Sequence, residues 1–334
     1  MLLPSFGQIR AQIPLSSSLK ESIESHRAKL QALLSPSSVR SIPIVLGPCS
    51  IHDPQAAICY AERIERLQRK YEGIFWFVMR VFFEKPRSLL GWKGWFSDPL
   101  MDNSFNIEKG LIEGRSLLKE IGEMHIPMAT EFLDPLFSPY ISDFITWGFI
   151  GARTSSSPLH RQLASSLPMP VGLKNNQEGD LLLAIQGVEV SRSSHTFPSL
   201  NEQGQLCVTT SQGNPWTHLV LRGDLQGPNH HLSFIKKAEL LHRERGITPR
   251  ILIDTGHGNR RENPQTIFLS ALENAASLSS FLGFMIESFL FPGSQPPSPS
   301  SLLYGVSVTD PCLGIKETEE LLDKGAFLIE KTLV

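Results

Sequence analysis

The chain has 334 residues, a hydrophobic fraction of 41% and a formal net charge of −2. This size and apolar content predict one large α/β domain, and the near-neutral charge excludes the strong basic field that is typical of nucleic-acid-binding proteins. No apolar run approaches the ~20 residues of a membrane span, and neither a secretory signal nor a dense cysteine pattern is present, so we expect a cytoplasmic protein with reduced thiols and no membrane partner.

An N-terminal helix is predicted over residues 16–34. Leucines recur there at helical spacing, and Ser18 is the predicted N-cap because its hydroxyl can accept a bond from a backbone N–H of the first turn. We place this helix in an N-terminal extension of residues 1–40, which precedes a single domain of residues 41–334.

From residue 42 onward, short apolar segments recur, and most of the gaps between them have a helical pattern, as in residues 56–71 and 107–124. The apolar segments are rich in Val, Ile, Leu and Phe and do not alternate with polar residues, which is typical of strands buried on both faces. The predicted strands are residues 42–49, 74–80, 127–131, 149–153, 170–174, 218–222, 250–257 and 282–287.

This series of strands and helices predicts an α/β fold of the (β/α)₈ type, a TIM barrel, behind the N-terminal helical extension. Residues 191–216 are long and polar and predict a β-hairpin inserted before the sixth strand. Residues 292–301 are rich in proline and serine and predict a loop after the eighth strand.

Functional side chains of such a barrel gather at the carboxyl ends of its strands. A barrel without a site would end its strands in a mixture of Asn, Ser, Gly and Asp, whereas cations and groups able to bind metal or transfer protons predominate here. The predicted strand ends carry Cys49, Arg80, Glu131, Arg153, Lys174, Arg222, His257 and Glu287. Cations at one mouth would repel each other in an empty site, so they predict a ligand with several negative charges. The cations concerned are Arg80, Lys85, Arg153, Lys174 and Arg222.

Possible metal ligands lie at or beyond the first, seventh and eighth strands. In a closed barrel the eighth strand neighbours the first, so these side chains can meet although they are distant in sequence. A thiolate, an imidazole and two carboxylates suit Mn²⁺, Fe²⁺, Co²⁺ or Zn²⁺ better than Mg²⁺, although their spacing alone is a weak indication and leaves metal-free burial as an alternative. The residues are Cys49, His257, Glu287 and Asp310.

Several motifs follow one another along the chain: GPCSIHDP from Gly47, MRVFFEKPRS from Met79, GWKGWFSDPLMDNSFNIEKGL from Gly91, ATEFLDP from Ala129, WGFIGART from Trp147, HRQLAS from His160, PVGLKN from Pro170 and YGVSVTDPCLG from Tyr304. In this order they resemble the microbial class I 3-deoxy-D-arabino-heptulosonate 7-phosphate (DAHP) synthases, the first enzymes of the shikimate pathway. The resemblance runs from about residue 42 to residue 322, and the first forty residues match only loosely.

The resemblance implies a metal-dependent transferase that joins phosphoenolpyruvate (PEP) to erythrose 4-phosphate and water and releases phosphate. The implied ligands of the divalent metal are Cys49, His257, Glu287 and Asp310. The implied PEP-binding residues are Arg80, Lys85, Arg153, Lys174 and Arg222. The implied sugar-phosphate-binding residues are Pro86, Arg87, Ser88 and Asp310. The implied catalytic residues are Lys85 as a proton donor, Glu131 as the group that orients or deprotonates the water, Cys49 and His257.

Alternatives of three kinds stay open. The related 3-deoxy-octulosonate 8-phosphate synthases use arabinose 5-phosphate, but they carry a different run in place of Lys-Pro-Arg-Ser, so Arg87 favours the four-carbon sugar. A catalytically silent relative would bind PEP and metal without turnover, and a purely structural barrel would bind neither. The resemblance also implies a homodimer or homotetramer.

Some positions depart from the family pattern. Asp224 stands where a second glycine is common, and its carboxylate is expected to weaken a neighbouring phosphate-binding arginine. Gly256 and Gly258 flank His257 where serine and alanine are usual, and are expected to add flexibility. Pro168 occupies a position that is usually small and polar in the feedback pocket, so regulation by an aromatic amino acid and insensitivity both stay open.

Overall fold

The computed structural model describes residues 2–35, 41–87, 90–276 and 278–332. The predicted N-terminal helix is present as α2 (Ser17–Leu34), preceded by a short helix α1 (Phe6–Gln12). Its N-cap is Ser16, whose Oγ accepts a hydrogen bond from the N–H of Leu19 at 3.2 Å. The prediction of Ser18 as N-cap is wrong, because Ser18 already lies inside the first turn. The predicted boundary at residue 40 lies outside the described residues.

Within the described residues, parallel strands form a closed eight-stranded barrel, which confirms the predicted fold. Closure comes from parallel pairing of the first and last barrel strands, with Ile44 opposite Phe284 and Gly47 opposite Glu287. The strands in chain order are β1 (Ile42–Gly47), β2 (Phe75–Arg80), β3 (Met128–Glu131), β4 (Trp147–Ile150), β5 (Val171–Lys174), β6 (Thr196–Leu200), β7 (Leu206–Thr210), β8 (His218–Leu221), β9 (Ile251–Asp254), β10 (Phe281–Phe289) and β11 (Leu313–Gly314). The barrel uses β1 to β5 and β8 to β10, and β11 extends β10.

Helices surround the barrel and connect its strands. They are α3 (Pro54–Lys70), α4 (Ile107–Glu123), α5 (Ser138–Ile141), α6 (Pro158–Ser166), α7 (Leu181–Ser191), α8 (Leu232–Arg243), α9 (Pro264–Ala275) and α10 (Ile315–Thr332). In α3, for example, Asp53 caps the first turn by accepting a bond from the N–H of Ala56 at 3.1 Å, and Pro54 follows at the first helical position. Its buried face, which includes Tyr60 and Ile64, packs in the core. In the described part of the chain, no helix is both long and apolar enough to cross a membrane.

Both predicted interruptions of the barrel are present. Strands β6 and β7 pair antiparallel between α7 and β8, which confirms the inserted hairpin. Residues 292–301 form a loop after β10 that ends in the 3₁₀ turn Pro299–Ser301.

A cluster of buried side chains fills the barrel interior, with Val45, Phe149 and Met285 among its members. Leu30 and Leu33 of α2 belong to the same cluster, together with aromatic residues at the amino ends of β2 and β4. Helix α2 therefore covers the amino end of the barrel, and the carboxyl ends of the strands are left for a site.

Candidate active site

The interior of the barrel changes from apolar to charged at the carboxyl ends of its strands. Side chains two residues apart on a strand share a face, so the interior residues Val78 and Met285 are followed on that face by Arg80 and Glu287. These two form an ion pair of 3.1 Å, with both side chains 1% exposed. Burial alone would raise the pKa of Glu287, but the nearby charges, that of Arg80 above all, lower it to about 2.

A second buried ion pair joins Lys174 and Asp254 at a distance of 2.8 Å. Lys174 is a predicted strand-end residue, whereas the sequence does not indicate Asp254, because pairing across the barrel is not visible in one chain. Burial alone would raise the pKa of Asp254, but nearby positive charges, that of Lys174 above all, keep it well below its usual range. Asp254 therefore supplies a fixed negative charge beneath His257.

Three of the four predicted metal ligands lie close together: Cys49 just after β1, Glu287 within β10, and Asp310 between β10 and β11. Ligand atoms of Cys49, Glu287 and Asp310 all lie within 4.8 Å of one another. Lys85 approaches the same group, with its Nζ 2.7 Å from Cys49 Sγ and 2.7 Å from an Asp310 carboxylate oxygen. Burial raises the pKa of the Cys49 thiol to about 11, an effect strengthened by Glu287 and opposed by Lys85. A cation is thus already stabilised among these donors.

His257 lies at the start of the 3₁₀ segment His257–Arg261, and the structure does not bring it into the same 4.8 Å group. Its φ of 59° is left-handed, an uncommon conformation for a residue with a Cβ. Its Nδ1 lies 3.0 Å from an oxygen of Asp254, without hydrogen-bond alignment. Burial lowers the pKa of His257 although Asp254 opposes this, so the imidazole is neutral near pH 7.

A cavity of about 510 Å³ opens at this end of the barrel. Four of the five predicted PEP-binding cations line it, whereas Lys174 does not and is buried against Asp254. The cationic lining residues are Arg80, Lys85, Arg87, Arg153, Arg222 and Arg260. Arg260 was not predicted, because no motif singled it out; it donates bonds of 2.6 Å to Glu287 and to the carbonyl of Pro311. The cavity is suited to a small ligand with several negative charges.

Besides His257 Nδ1, two polar atoms of residues that line the cavity are buried without a hydrogen-bond partner in the described part of the chain. One is Arg222 Nε, a donor, and the other is Glu131 Oε1, an acceptor. Buried polar groups normally have partners, so both atoms indicate contacts that a ligand or water would supply. The space beside Glu131 depends on Gly151, because a Cβ there would collide with the carboxylate.

The predicted sugar-phosphate loop lies at the rim. Pro86 and Arg87 line the cavity, and Arg87 Nε donates a bond of 2.9 Å to the carbonyl of Trp92. Asp310, which is distant from this loop in the sequence, also lines the cavity. Ser88 lies outside the described residues.

The departures from the family pattern have structural explanations. Asp224 Oδ1 accepts bonds from the N–H groups of Gln226 and Gly227, at 2.6 and 2.9 Å, so it stabilises its own turn. Among the described residues, Asp224 forms no ion pair with Arg222 and does not line the cavity. Gly258 packs directly on the backbone of Asp224, where a Cβ would collide, so it allows close packing of two loops.

Pro168 lines a separate cavity of about 200 Å³ together with Arg10, Ile23 and Arg27. This cavity lies between the N-terminal helices and the barrel, and Arg27 donates bonds there to the carbonyls of Ser142 and Ile145. Regulation by an aromatic amino acid and insensitivity to it both stay open.

Comparison with known proteins agrees with this geometry. The DAHP synthetase I family matches residues 40–323. The chain is 40% identical over 319 residues to the Trp-sensitive phospho-2-dehydro-3-deoxyheptonate aldolase of Enterobacter agglomerans, covering 94% of this chain and 91% of the relative. It is 39% identical over 321 residues to the Tyr-sensitive enzyme of Escherichia coli K12, covering 94% and 90%. A solved phospho-2-dehydro-3-deoxyheptonate aldolase from Francisella tularensis superposes with a TM-score of 0.96 at 35% identity, covering 99% of this chain and 97% of that one. The chain therefore belongs to the DAHP synthetase I family.

Proposed function

We propose that this chain is a DAHP synthase, a transferase that condenses PEP with erythrose 4-phosphate and water to give DAHP and phosphate, the first step of the shikimate pathway. The observation that carries this proposal is the cationic cavity above the buried Arg80–Glu287 pair, beside the group of Cys49, Glu287 and Asp310. Membership of the family supports the same reaction.

Four residues are proposed to hold a divalent metal: Cys49, His257, Glu287 and Asp310. The donors fit such an ion, because three of them lie within 4.8 Å of one another. Two of these three, Cys49 and Asp310, already contact the ammonium of Lys85. His257 lines the same cavity and is neutral near pH 7, the form that can ligate a metal. A thiolate among carboxylates favours Mn²⁺, Fe²⁺, Co²⁺ or Zn²⁺. When bound, the ion supplies Lewis-acid polarisation of the sugar aldehyde.

PEP carries a phosphate and a carboxylate, and guanidinium groups bind both through paired hydrogen bonds. We assign this role to the cavity cations Arg80, Lys85, Arg153 and Arg222. The buried Nε of Arg222, which has no partner in the described part of the chain, supports this assignment. Lys174, the fifth predicted PEP-binding cation, does not line the cavity, and its contact with PEP stays a prediction. Its ion pair with Asp254 fixes a charge next to His257.

The proposed chemistry begins with attack of PEP C3 on the aldehyde carbon of the sugar. Lys85 donates a proton towards the aldehyde oxygen, a role that suits an ammonium 2.7 Å from Asp310. Water then adds to C2 of the former PEP, and Glu131, whose buried Oε1 lacks a partner in the described residues, orients this water or takes its proton. Phosphate leaves from C2 with cleavage of the C–O bond.

We assign the four-carbon sugar phosphate to the predicted residues Pro86, Arg87, Ser88 and Asp310, of which Pro86, Arg87 and Asp310 line the cavity. Arg87 is positioned by its bond to the carbonyl of Trp92 and directs a guanidinium into the cavity lining. We further propose a cytoplasmic homodimer or homotetramer, on the strength of the family resemblance, with an extension of residues 1–40 and a catalytic barrel of residues 41–334.

A direct test mixes the purified protein with PEP, erythrose 4-phosphate and Mn²⁺ and follows the loss of PEP absorbance. Loss that requires the sugar and stops with EDTA is expected. Turnover with arabinose 5-phosphate in place of erythrose 4-phosphate would move the assignment to octulosonate synthesis. No turnover with either sugar after metal reconstitution would leave a silent relative. With ¹⁸O in the bridging position of PEP, the label is expected in the phosphate, and label retained in the ketose would refute the proposed C–O cleavage.

A further inference from the structure

A second cluster of possible metal ligands lies outside the cavity described above. It consists of His230 and His231, which directly precede α8, and Glu262, which follows the 3₁₀ segment His257–Arg261. The Nε2 atom of His230 lies 3.0 Å from one carboxylate oxygen of Glu262, and that of His231 lies 3.4 Å from the other. One ligand atom from each residue fits within a 4.8 Å group.

These separations match a metal site. Ligands at ~2.0–2.1 Å from a tetrahedral Zn²⁺ lie roughly 3.3 Å from one another. The two measured nitrogen–oxygen distances, 3.0 and 3.4 Å, bracket this value. Two imidazoles and one carboxylate are a donor set that zinc and its neighbours in the first transition series prefer to hard cations.

Protein hydrogen bonds satisfy only part of the cluster, since His230 Nε2 is paired with Glu262 at 3.0 Å. His230 is 2% exposed, and its Nδ1 is buried without a hydrogen-bond partner in the described part of the chain. The side chains of His231 and Glu262 are 48% and 34% exposed, which leaves the cluster open to solvent on one side for an entering ion and a water ligand.

The cluster joins two loops that both carry residues of the main cavity. Asn229, next to His230, accepts a bond from the N–H of Gly223, which follows Arg222. The N–H of Asn229 donates to Asn259 Oδ1 at 2.8 Å, within the segment that begins at His257. A metal ion bridging the two loops would therefore fix the position of Arg222 relative to His257.

We propose that His230, His231 and Glu262 form a transition-metal site of the Zn²⁺ class, separate from the site that includes Cys49. The ion connects the loop after β8 to the end of the 3₁₀ segment after β9. This site does not depend on the proposed synthase activity, because none of its three ligands lines the main cavity.

The test measures the zinc content of the natural chain and of variants. Each apoprotein is first dialysed against Zn²⁺ and then against metal-free buffer. His231→Asn and Glu262→Gln each remove one ligand with little change in volume, and each is expected to bind one equivalent fewer than the natural chain. His195→Asn, at a half-buried histidine of the hairpin insertion, is the matched control and is expected to keep the full zinc content.

Equal zinc content in the natural chain and both variants would overturn the proposal, and so would an equal loss in the control. Substitution with Co²⁺ separates this site from the other one. The thiolate-to-cobalt charge-transfer band is expected to persist in His231→Asn and to disappear in Cys49→Ala, whereas loss of that band in His231→Asn would refute a separate site. Thermal unfolding in EDTA is expected to be unchanged by His231→Asn, so lost zinc would not reflect lost folding.

Discussion

The ammonium of Lys85 lies 2.7 Å from the sulfur of Cys49. Since Asp310 is equally close, this lysine connects the proposed metal ligands to the cavity that it also lines.

We expect Lys85→Met to lower kcat about 10²–10⁴-fold, the usual contribution of a positioned proton donor, while the metal content stays that of the natural chain. Steady-state kinetics and metal analysis of the same samples would check both, with Lys93→Met as an exposed control from the same loop. Activity within a few-fold of the natural chain would remove Lys85 from the chemistry.

Replacing Glu287 by Gln is expected to destabilise the barrel. The substitution leaves the guanidinium of Arg80 buried and without its counter-ion, and removing one member of a buried pair typically costs about 3–5 kcal/mol. Urea unfolding in the presence of EDTA would measure this without a contribution from metal binding. The exposed pair Lys109–Glu113 provides the control, since Glu113→Gln is expected to change the free energy of unfolding by under ~0.5 kcal/mol. A small effect at Glu287 would show that water reaches Arg80.

Glu84 is expected to make stability depend on pH. Burial raises the pKa of this carboxyl from 4.5 to about 8. The folded protein keeps the proton up to that pH, whereas the unfolded chain releases it near 4.5, so this contribution to the free energy of unfolding is fully present below pH 4.5 and is lost as the pH rises to 8. Glu84→Gln should remove that part of the decline and be more stable than the natural chain at pH 8 by at least ~1 kcal/mol. Urea unfolding of both proteins at pH 5 and pH 8 measures this effect. The same difference in free energy of unfolding between Glu84→Gln and the natural chain at both pH values would contradict the prediction.

Asp224→Asn is expected to leave PEP binding nearly unchanged. The amide keeps an acceptor oxygen for the N–H groups of Gln226 and Gly227, and Asp224 has no ion pair with Arg222 among the described residues. The KM for PEP should stay within about threefold, or under ~0.7 kcal/mol. Arg222→Gln, which removes a proposed PEP contact, is the comparison and should raise KM strongly. A marked fall in KM for Asp224→Asn would restore the view that the carboxylate weakens the site.

Much of this architecture is predictable because it depends on local pattern. Buried parallel strands produce apolar segments, and the step from Val78 to Arg80 on one face marks where the apolar interior gives way to the site. Exact strand ends are less predictable: β4 is Trp147–Ile150, so Arg153 lies in the loop beyond it. Pairing across the barrel is not visible in one sequence, which is why Asp254 was overlooked.

The same limit applies to groups that loops bring together. His230 and Glu262 are 32 positions apart on different loops, and their approach depends on a close contact between glycine-containing backbones. Likewise, the pairing of Lys174 with Asp254 at 2.8 Å is not visible in the sequence, and the predicted contact of Lys174 with the substrate stays a prediction. The residue types alone indicate a charged site. Only the fold shows which charged side chains face the cavity and which are paired with other protein groups.

Because β1 pairs with β10, the proposed metal site combines residues from the first and the last barrel strands in the sequence. Cys49 leaves the ribosome early in synthesis, whereas Glu287 and Asp310 follow more than two hundred residues later. During translation, the thiol therefore exists for most of that time without its partner ligands. Metal capture by the complete proposed set would therefore require strand closure, and a bound ion would distinguish chains whose barrel has closed from incomplete ones.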